Sequence, residues 1–139
     1  MKQRTIYLAG PMEHVTAESA QGWRDEMKTL ISKYHDVKFL DPCRRIHSFD
    51  PREMKRIFEL DIRDINESDI LVANLDKLKE IPRHGTAMEV FYAAYIRRIP
   101  VIAFKSNKDH IHPFFESLVT EWRSDHVKAA ETIMEHYLA

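Results

Sequence analysis

The sequence is poor in cysteine and glycine, and each scarcity excludes a class of protein. Cys43 is the single cysteine in 139 residues, which excludes internal disulfide bonds and zinc sites built from several cysteines. Such a chain fits a reducing compartment, and we expect a cytoplasmic protein. The three glycines, at positions 10, 22 and 85, do not form the G-x-G-x-x-G fingerprint of dinucleotide-binding proteins.

The chain also lacks a strong charge bias and a long apolar run. Its 21 basic and 22 acidic residues give a formal charge of -1, which does not favour binding of polymeric nucleic acid. No apolar run approaches the roughly 20 residues that span a bilayer, and residues 1–4 lead into a strand without the apolar core of a signal peptide. The eight histidines show no spacing typical of metal ligands, so no metal site is expected.

Apolar strands and amphipathic helices alternate along the chain. The periodicity predicts strands at 5–9, 37–40, 70–75 and 99–104, and helices at 15–34, 51–66, 85–98 and 113–122. A fifth strand near 126–128 is left open within a mostly helical C-terminal region. This order predicts one domain over residues 1–139, an α/β fold. It would be a three-layer α/β/α sandwich, flavodoxin- or Rossmann-like, with a parallel sheet of four to five strands.

The stretch Arg83–Ala93, after the third strand, is the first candidate for a ligand site. Gly85 is predicted to permit a turn, Thr86 to cap a helix, and Glu89 to fall in its first turn, where the helix dipole favours an ionised carboxylate. Ligands of open α/β sheets bind at the carboxyl ends of the strands. Glu89 could equally serve only to complement the helix. The helix is expected to turn Met88, Phe91, Tyr92 and Tyr95 towards the core.

Two further polar residues are predicted near the same edge. Tyr7, in the strand that Gly10 and Pro11 terminate, is either a hydrogen-bond donor to a carboxylate or a core tyrosine with a satisfied hydroxyl. Asp61 lies on the inward side of the second helix, where an unpartnered acid is costly. It is either a functional carboxylate or the partner of Arg56 or Arg63. Asp64, three residues on, is expected on a more outward face.

A cationic loop follows the second strand. Asp41 ends that strand with plausible access to the same crevice, and Arg44, Arg45 and His47 lie in the loop after it. These cations could bind an anionic part of a ligand, or the loop could simply be a solvated surface.

Three collinear motifs within residues 5–104 add a resemblance. They are Ile6–Met12, the segment Asp61–Asp76, and Gly85–Ala93 followed by Pro100-Val101. Together they resemble the nucleoside 2-deoxyribosyltransferase family, whose superfamily includes nucleoside 5'-monophosphate N-glycosidases. The resemblance implies cleavage of the N-glycosidic bond of (deoxy)nucleosides or nucleotides, with transfer of the sugar to another base or to water. It implies no metal or organic cofactor.

The same resemblance implies roles for individual residues. Glu89 would be the nucleophile of a covalent glycosyl intermediate, Tyr7 would orient it, and Asp61 would bind sugar hydroxyls or help position Glu89. The group that protonates the leaving base is left between Glu13 and Asp41. The residues expected to bind substrate are Gly10, Pro11, Met12, Asp41, Arg83, Gly85 and Thr86.

One departure from the family pattern concerns the substrate. Six residues before the nucleophile the transferases commonly have Asp and the nucleotide hydrolases can have a small hydroxyl residue, whereas this chain has Arg83. With Arg44, Arg45 and His84, a guanidinium there points to a 5'-monophosphate, although Arg83 could equally face solvent. A monophosphate-specific N-hydrolase and a non-catalytic nucleotide-binding or sensor domain are therefore the alternatives. By analogy with the transferases, whose active sites use residues of a neighbouring subunit, a homo-oligomer is expected.

Overall fold

Five strands and five helices alternate in the described part of the chain. The periodicity predicts four of these strands, but the helix expected at 113–122 already ends at Leu118, and residues 121–123 form the fifth strand instead. The computed structural model describes residues 2–12, 15–45, 50–76, 83–106 and 110–139. The strands are β1 (Arg4–Ala9), β2 (Val37–Leu40), β3 (Ile70–Asn74), β4 (Val101–Phe104) and β5 (Glu121–Arg123). The helices are α1 (Ala17–Ser32), α2 (Pro51–Asn66), α3 (His84–Phe91), α4 (Phe114–Leu118) and α5 (His126–His136). A 3₁₀ turn, Pro42–Arg44, follows β2, and a π-helical segment, Tyr92–Arg97, continues α3.

All five strands are parallel and lie in the order β2-β1-β3-β4-β5. This flavodoxin-type order places a topological switch point between β1 and β3, where ligands commonly bind. The fifth strand exists, but at Glu121–Arg123 rather than near 126–128. The latter residues begin α5, because the Asp125 carboxylate caps the helix by accepting a hydrogen bond from the backbone N–H of Lys128 at 2.8 Å.

Helices cover both faces of the sheet. On one face, Ile6 and Leu8 of β1 pack in a buried cluster with α1 and α5. On the other, Tyr7 and Ala9 pack in a second cluster with α2, α3 and α4. The alternation of side chains along β1 therefore sends Tyr7 towards α2 and α3. No helix in the described part of the chain is both long and apolar enough to cross a bilayer.

The core-facing side of α3 differs from the prediction. Thr86, Val90 and Ala93 are the residues buried against the sheet. Met88, Phe91 and Tyr95, which the sequence places in the core, are exposed by 60%, 47% and 58%. Both sets recur at helical spacing, so periodicity alone could not separate the buried side from an apolar side that faces outwards.

A buried arginine closes the carboxyl end of β1. Arg24 of α1 has no exposed surface and donates to the carbonyl oxygens of Leu8 at 3.3 Å, Gly10 at 3.1 Å and Ala20. Trp23 is buried and packs close beside Gly10. A Cβ atom added at Gly10 would lie 2.9 Å from Cζ2 of Trp23. Gly10 is therefore required by the packing around it rather than by its backbone angles.

Alanine substitutions at two glycines test this packing. We expect Gly10→Ala to lower the free energy of unfolding by about 1 to 3 kcal/mol, because the added methyl group overpacks a rigid site. Gly22→Ala is the matched control: it lies within α1, and a Cβ there meets no atom within 4 Å. It should stabilise the protein by about 0.4 to 1 kcal/mol. Urea denaturation measures both, and equal effects of the two substitutions would contradict the packing argument.

Candidate active site

A cavity of about 220 Å³ opens at the carboxyl edge of β1, between α2 and the start of α3. Most of the residues predicted to bind substrate line it. They are Gly10, Pro11, Met12, Arg83, Gly85 and Thr86, together with the two predicted carboxylates Asp61 and Glu89. Tyr7 lies fully buried and reaches Glu89 from β1. The volume of the cavity suits one small molecule rather than a polymer.

Glu89 accepts a hydrogen bond from the hydroxyl of Tyr7. The predicted local geometry around it was wrong, because α3 already begins at His84. Glu89 therefore lies in the second turn, and Thr86 is a buried first-turn residue rather than the cap. Gly85 is helical and no described glycine has a positive φ, so it makes no special turn. A Cβ atom added at Gly85 would meet no atom within 4 Å. The absence of a side chain at Gly85 therefore leaves space on this side of the cavity.

The protonation of Glu89 also differs from the prediction of an ionised group. Burial raises the pKa of its carboxyl group to about 8, and this outweighs the opposing effect of the Tyr7 hydrogen bond. The charge of Asp61 raises it further, whereas that of Arg24 lowers it. In the second turn Glu89 gains little from the helix dipole, which acts mainly on the first turn. At neutral pH the ligand-free site therefore holds a proton on Glu89.

Asp61 contacts a cation that sequence reasoning did not pair with it. The partner is Arg45, whose Nη1 lies 2.8 Å from Oδ1 of Asp61, rather than Arg56 or Arg63. Asp61 is 8% exposed. Burial raises the pKa of its carboxyl group to about 6, although Arg45 opposes this shift. At neutral pH Asp61 is therefore mainly ionised while Glu89 is mainly protonated.

Asp64 is buried, so the prediction that it lies on an outward face was wrong. It is 3% exposed and its Oδ2 pairs with Nη2 of Arg45 at 2.5 Å and with Nη2 of Arg44 at 2.7 Å. The face of α2 that meets the turn after β2 thus includes both Asp61 and Asp64. These two carboxylates pair with the first two cations of the predicted cationic loop, Arg44 and Arg45. His47 lies outside the described residues.

Arg83 lines the cavity, but its guanidinium contacts the backbone. Nη1 donates to the carbonyl oxygen of Leu75 at 2.5 Å, and Nη2 donates to that of His110 at 3.3 Å. The side chain therefore joins the segment after β3 to the segment after β4. These contacts hold the two backbone segments together beside the cavity. The sequence had predicted instead that Arg83 either binds a phosphate or faces solvent.

The structure does not bring Asp41 to the cavity. It is 4% exposed, and its Oδ2 accepts from Nζ of Lys28 at 2.6 Å and from Nε2 of Gln21 at 2.9 Å. Burial raises the pKa of this carboxyl group, but these two hydrogen bonds, a third from the backbone N–H of Cys43 and the charge of Arg24 together lower it more, so the net shift is downwards. Asp41 is thus a buried structural anion. Glu13, the other candidate for protonating a base, lies outside the described residues.

Much of the cavity wall is apolar, and sequence reasoning assigned none of it to the site. These residues are Met54, Ile57, Phe58, Ile62 and Met88. Most lie on α2, whose apolar stripe continues past the edge of the sheet. The sequence signal that could have identified them is the length of this apolar stripe, which has more residues than packing against the sheet requires. Among the described residues, no group of three or more His, Cys, Asp or Glu side chains could hold a metal ion.

A family model described as nucleoside 2-deoxyribosyltransferase matches residues 6–134. The chain belongs to the nucleoside 2-deoxyribosyltransferase family. It is therefore a member of a family of enzymes, and the family suggested by its three sequence motifs is confirmed. The matched range contains β2 to β5, all of β1 except its first two residues, and the whole cavity lining.

Solved structures resemble this deoxyribosyltransferase-family fold along nearly its whole length. A 2-deoxyribosyltransferase from Bacillus psychrosaccharolyticus is 18% identical with a TM-score of 0.71, covering 91% of this chain and 90% of that one. A 2-desoxiribosyltransferase from Leishmania mexicana is 23% identical with a TM-score of 0.71, covering 97% and 99%. A conserved protein from Enterococcus faecalis V583 is 19% identical with a TM-score of 0.76, covering 96% and 99%. A comparison with curated proteins gave no match.

The raised pKa of Glu89 predicts how stability depends on pH. Between the usual pKa of a glutamate, about 4.3, and its folded value of about 8, the native state binds more protons than the unfolded state. Its stability therefore falls as pH rises. Glu89→Gln removes this loss, so the variant should melt above the wild type by a margin that grows from pH 5 to pH 8. Each 1 kcal/mol gained in the free energy of unfolding raises the melting temperature by about 4 °C.

Thermal denaturation across this pH range measures the margin directly. Glu53→Gln is a suitable control, since Glu53 lies in the exposed first turn of α2. Because both substitutions replace a glutamate by glutamine, their comparison isolates the part of the margin that is due to the surroundings of Glu89. A constant difference between wild type and Glu89→Gln from pH 5 to pH 8 would show that Glu89 titrates normally.

Proposed function

We propose that this chain cleaves the N-glycosidic bond of a (deoxy)nucleoside through a covalent glycosyl ester of Glu89. The observation that carries the proposal is the hydrogen bond from the buried Tyr7 hydroxyl to a Glu89 carboxyl group that lines the cavity. A hydroxyl donor on one oxygen orients the carboxyl group and leaves its other oxygen for attack. A partly buried acid of raised pKa that lines a cavity is typical of catalytic sites, which favours an enzyme over a domain that only binds nucleotides.

The resting protonation of the site balances the first half-reaction. The bond from the anomeric carbon to the base nitrogen breaks, and its electron pair stays with the nitrogen, which takes up a proton. A bond from the same carbon to a Glu89 oxygen forms as Glu89 loses a proton. One proton leaves the carboxyl group and one joins the base, so a site that holds one proton at rest needs none from solvent.

The second half-reaction restores the carboxyl group. An acceptor base or water attacks the anomeric carbon from the opposite face, loses a proton and releases Glu89. Transfer and hydrolysis thus differ only in the acceptor. Because the site holds one proton between the pKa values of Asp61, about 6, and Glu89, about 8, turnover is greatest between them.

Four sets of residues support distinct parts of this reaction. Tyr7 orients Glu89, and Asp61 accepts hydrogen bonds from sugar hydroxyls at the cavity wall. The ligand is surrounded by the predicted substrate-binding residues Gly10, Pro11, Met12, Gly85 and Thr86. Apolar residues of α2 offer a surface on which a base can lie. No metal or organic cofactor takes part in these steps.

The cations near the cavity favour a nucleoside over its 5'-monophosphate. The guanidinium of Arg83 donates to two backbone carbonyls, and those of Arg44 and Arg45 pair with carboxylates of α2. Recruiting any of them to a phosphate would break existing contacts. The monophosphate N-hydrolase remains the second candidate, because Arg83 and His84 both line the cavity.

The exposed apolar surface beside the cavity supports a homo-oligomer. Phe58, Met88 and Phe91 are exposed by 45%, 60% and 47% and border a shallow groove next to the cavity. A second copy of the chain covering this groove would bury them and narrow the cavity entrance. We propose further that residues 1–139 act as one domain, and that the protein is cytoplasmic, as its single cysteine favours.

Base release from deoxynucleosides tests the proposed function. The wild type should release base from a deoxynucleoside, and should form a new nucleoside when a second base is added. Glu89→Ala should lower the rate at least about 10³-fold, and Tyr7→Phe about 10- to 1,000-fold, with folding intact. Chromatography follows the bases, and mass spectrometry of rapidly quenched protein should find the sugar on the peptide that contains Glu89.

Turnover of Glu89→Ala within about tenfold of wild type would remove the nucleophile from the mechanism. Base release that does not depend on an acceptor base would identify a hydrolase. Nucleotide binding without any base release would identify the non-catalytic alternative. Sedimentation velocity on the same preparation reports whether the chain associates, and a monomer at assay concentration would remove the homo-oligomer.

Substrate class is tested by Arg83→Ala. Because Arg83 braces two backbone segments, its loss should lower kcat/KM for a deoxynucleoside and for its 5'-monophosphate by the same factor. If Arg83 contacted a phosphate, the substitution would instead lower kcat/KM about 10- to 150-fold for the monophosphate alone. Arg52→Ala, which removes a surface arginine that is 92% exposed, controls for a general change in charge. A selective rise in KM for the monophosphate, weaker in high salt, would establish the second candidate.

A further inference from the structure

Arg45 holds two buried carboxylates of α2 at once. Its Nη1 lies 2.8 Å from Oδ1 of Asp61, and its Nη2 lies 2.5 Å from Oδ2 of Asp64. The side chains of all three are largely shielded from water, with Arg45 exposed by 15% and the two aspartates by 12% and 5%. A planar guanidinium that contacts two acceptors fixes their direction as well as their charge.

The contact occupies only one oxygen of Asp61. Arg45 donates to Oδ1, and in the part of the chain that the structure describes no protein group donates a hydrogen bond to Oδ2. Asp61 lines the cavity, whereas Arg45 does not. The carboxylate is thus held from behind and keeps one acceptor for a ligand.

Asp64 serves as the fixed point of this arrangement. Besides Arg45, its Oδ2 pairs with Nη2 of Arg44 at 2.7 Å, and Nη1 of Arg44 donates to the backbone carbonyl of Asp41 at 3.1 Å. The second arm of Arg45 is therefore anchored to α2 and, through Arg44, to the end of β2. Rotation of Arg45 away from Asp61 would break this anchor.

We propose that Arg45 is a positioning residue that holds Oδ1 of Asp61 and thereby directs Oδ2 at a hydroxyl group of the nucleoside sugar. The inference rests on the proposed function, since the sugar supplies the donor. Arg45 acts through Asp61 and makes no contact with the substrate itself.

Loss of Arg45 would change the charge of Asp61 as well as its direction. The charged and titratable groups that face Asp61 are Asp64 on α2, Arg44 and Arg45 after β2, Tyr7 on β1 and Glu89 on α3; Arg83 and His84 line the same cavity. Without Arg45, burial and the charge of Asp64 both favour the protonated form of Asp61. Its pKa would rise above about 6, towards neutral pH, and Oδ2 would cease to be an anionic acceptor.

Arg45→Gln and Arg44→Gln form a matched pair of variants. Each removes one guanidinium from Asp64, but only the first removes the contact with Asp61. Carbon-13 NMR titration of the Asp61 carboxyl group, assigned by its loss in Asp61→Asn, follows the charge. Steady-state kinetics with a deoxynucleoside between pH 5.5 and 8.5 follows the function. Melting temperatures confirm that each variant is folded.

The expected result separates the two arginines. Arg45→Gln should raise the pKa of Asp61 by about 1 unit or more and lower kcat/KM at pH 6 at least about fivefold, with a smaller loss at pH 8. Arg44→Gln should shift both much less. In an Asp61→Asn background, Arg45→Gln should change kcat/KM by less than about twofold, because its effect passes through Asp61. Arg45→Lys, which retains the charge, should recover part of the activity at pH 6.

Two results would overturn the inference. One is an equal effect of Arg45→Gln and Arg44→Gln on the pKa of Asp61; the other is a loss of kcat/KM that persists in the Asp61→Asn background. Should Arg45→Gln fail to fold, Arg45→Lys tests the positioning alone: it keeps the charge but loses the two-armed contact, so kcat/KM should fall in Arg45→Lys and not in Arg44→Lys, and equal values in both would overturn the inference. If the wild type released no base at all, the proposed function would fail, and the NMR titration would still decide whether Arg45 governs Asp61.

Discussion

The burial of one carboxyl group against one phenol is the constraint on which the site depends. Glu89 lines the cavity with the hydroxyl of Tyr7 on one oxygen, and burial there raises its pKa to about 8. Holding an acid in such a place costs stability, and this cost is tolerated when it prepares a reactive group. Tyr7 can reach Glu89 because β1 is a central strand whose side chains alternate between two helical layers. The parallel sheet thus supplies both the rigidity and the direction that the pair requires.

The surrounding charges form a second, supporting level. Arg24 fixes the carbonyl groups at the end of β1, Asp41 fixes the start of the next turn, and Arg45 fixes Asp61. Arg24 and Asp41 are buried and Arg45 is largely so, and each contacts an opposite charge or a carbonyl group, so none is left isolated at the large cost of an unpaired buried charge. The arrangement leaves the two cavity carboxylates with different pKa values, which is what lets one of them hold a proton while the other is ionised.

The sequence allowed the fold and the identity of the candidate residues to be predicted, but not their contacts. Strand alternation and family motifs placed Tyr7, Asp61 and Glu89 at one edge, because carboxyl ends of parallel strands meet there. The starting point of α3 could not be read correctly, since Thr86 looks like a cap and yet is buried at its first turn. The partner of Asp61 was equally inaccessible. Arg45 lies 16 residues away in the chain, whereas sequence arguments search for partners on the same helix.

The position of Trp23 makes the protein its own optical probe. The guanidinium of Arg24 lies over its ring, 4.6 Å from the centroid, and its edge lies close to Gly10, which lines the cavity. The other tryptophan, Trp122, belongs to β5 at the far edge of the sheet. The indole emission of this chain therefore combines a signal from beside the site with a reference from a distant strand. A Trp122→Phe protein would carry one fluorophore, and its emission would register any movement of the β1 end when a ligand enters.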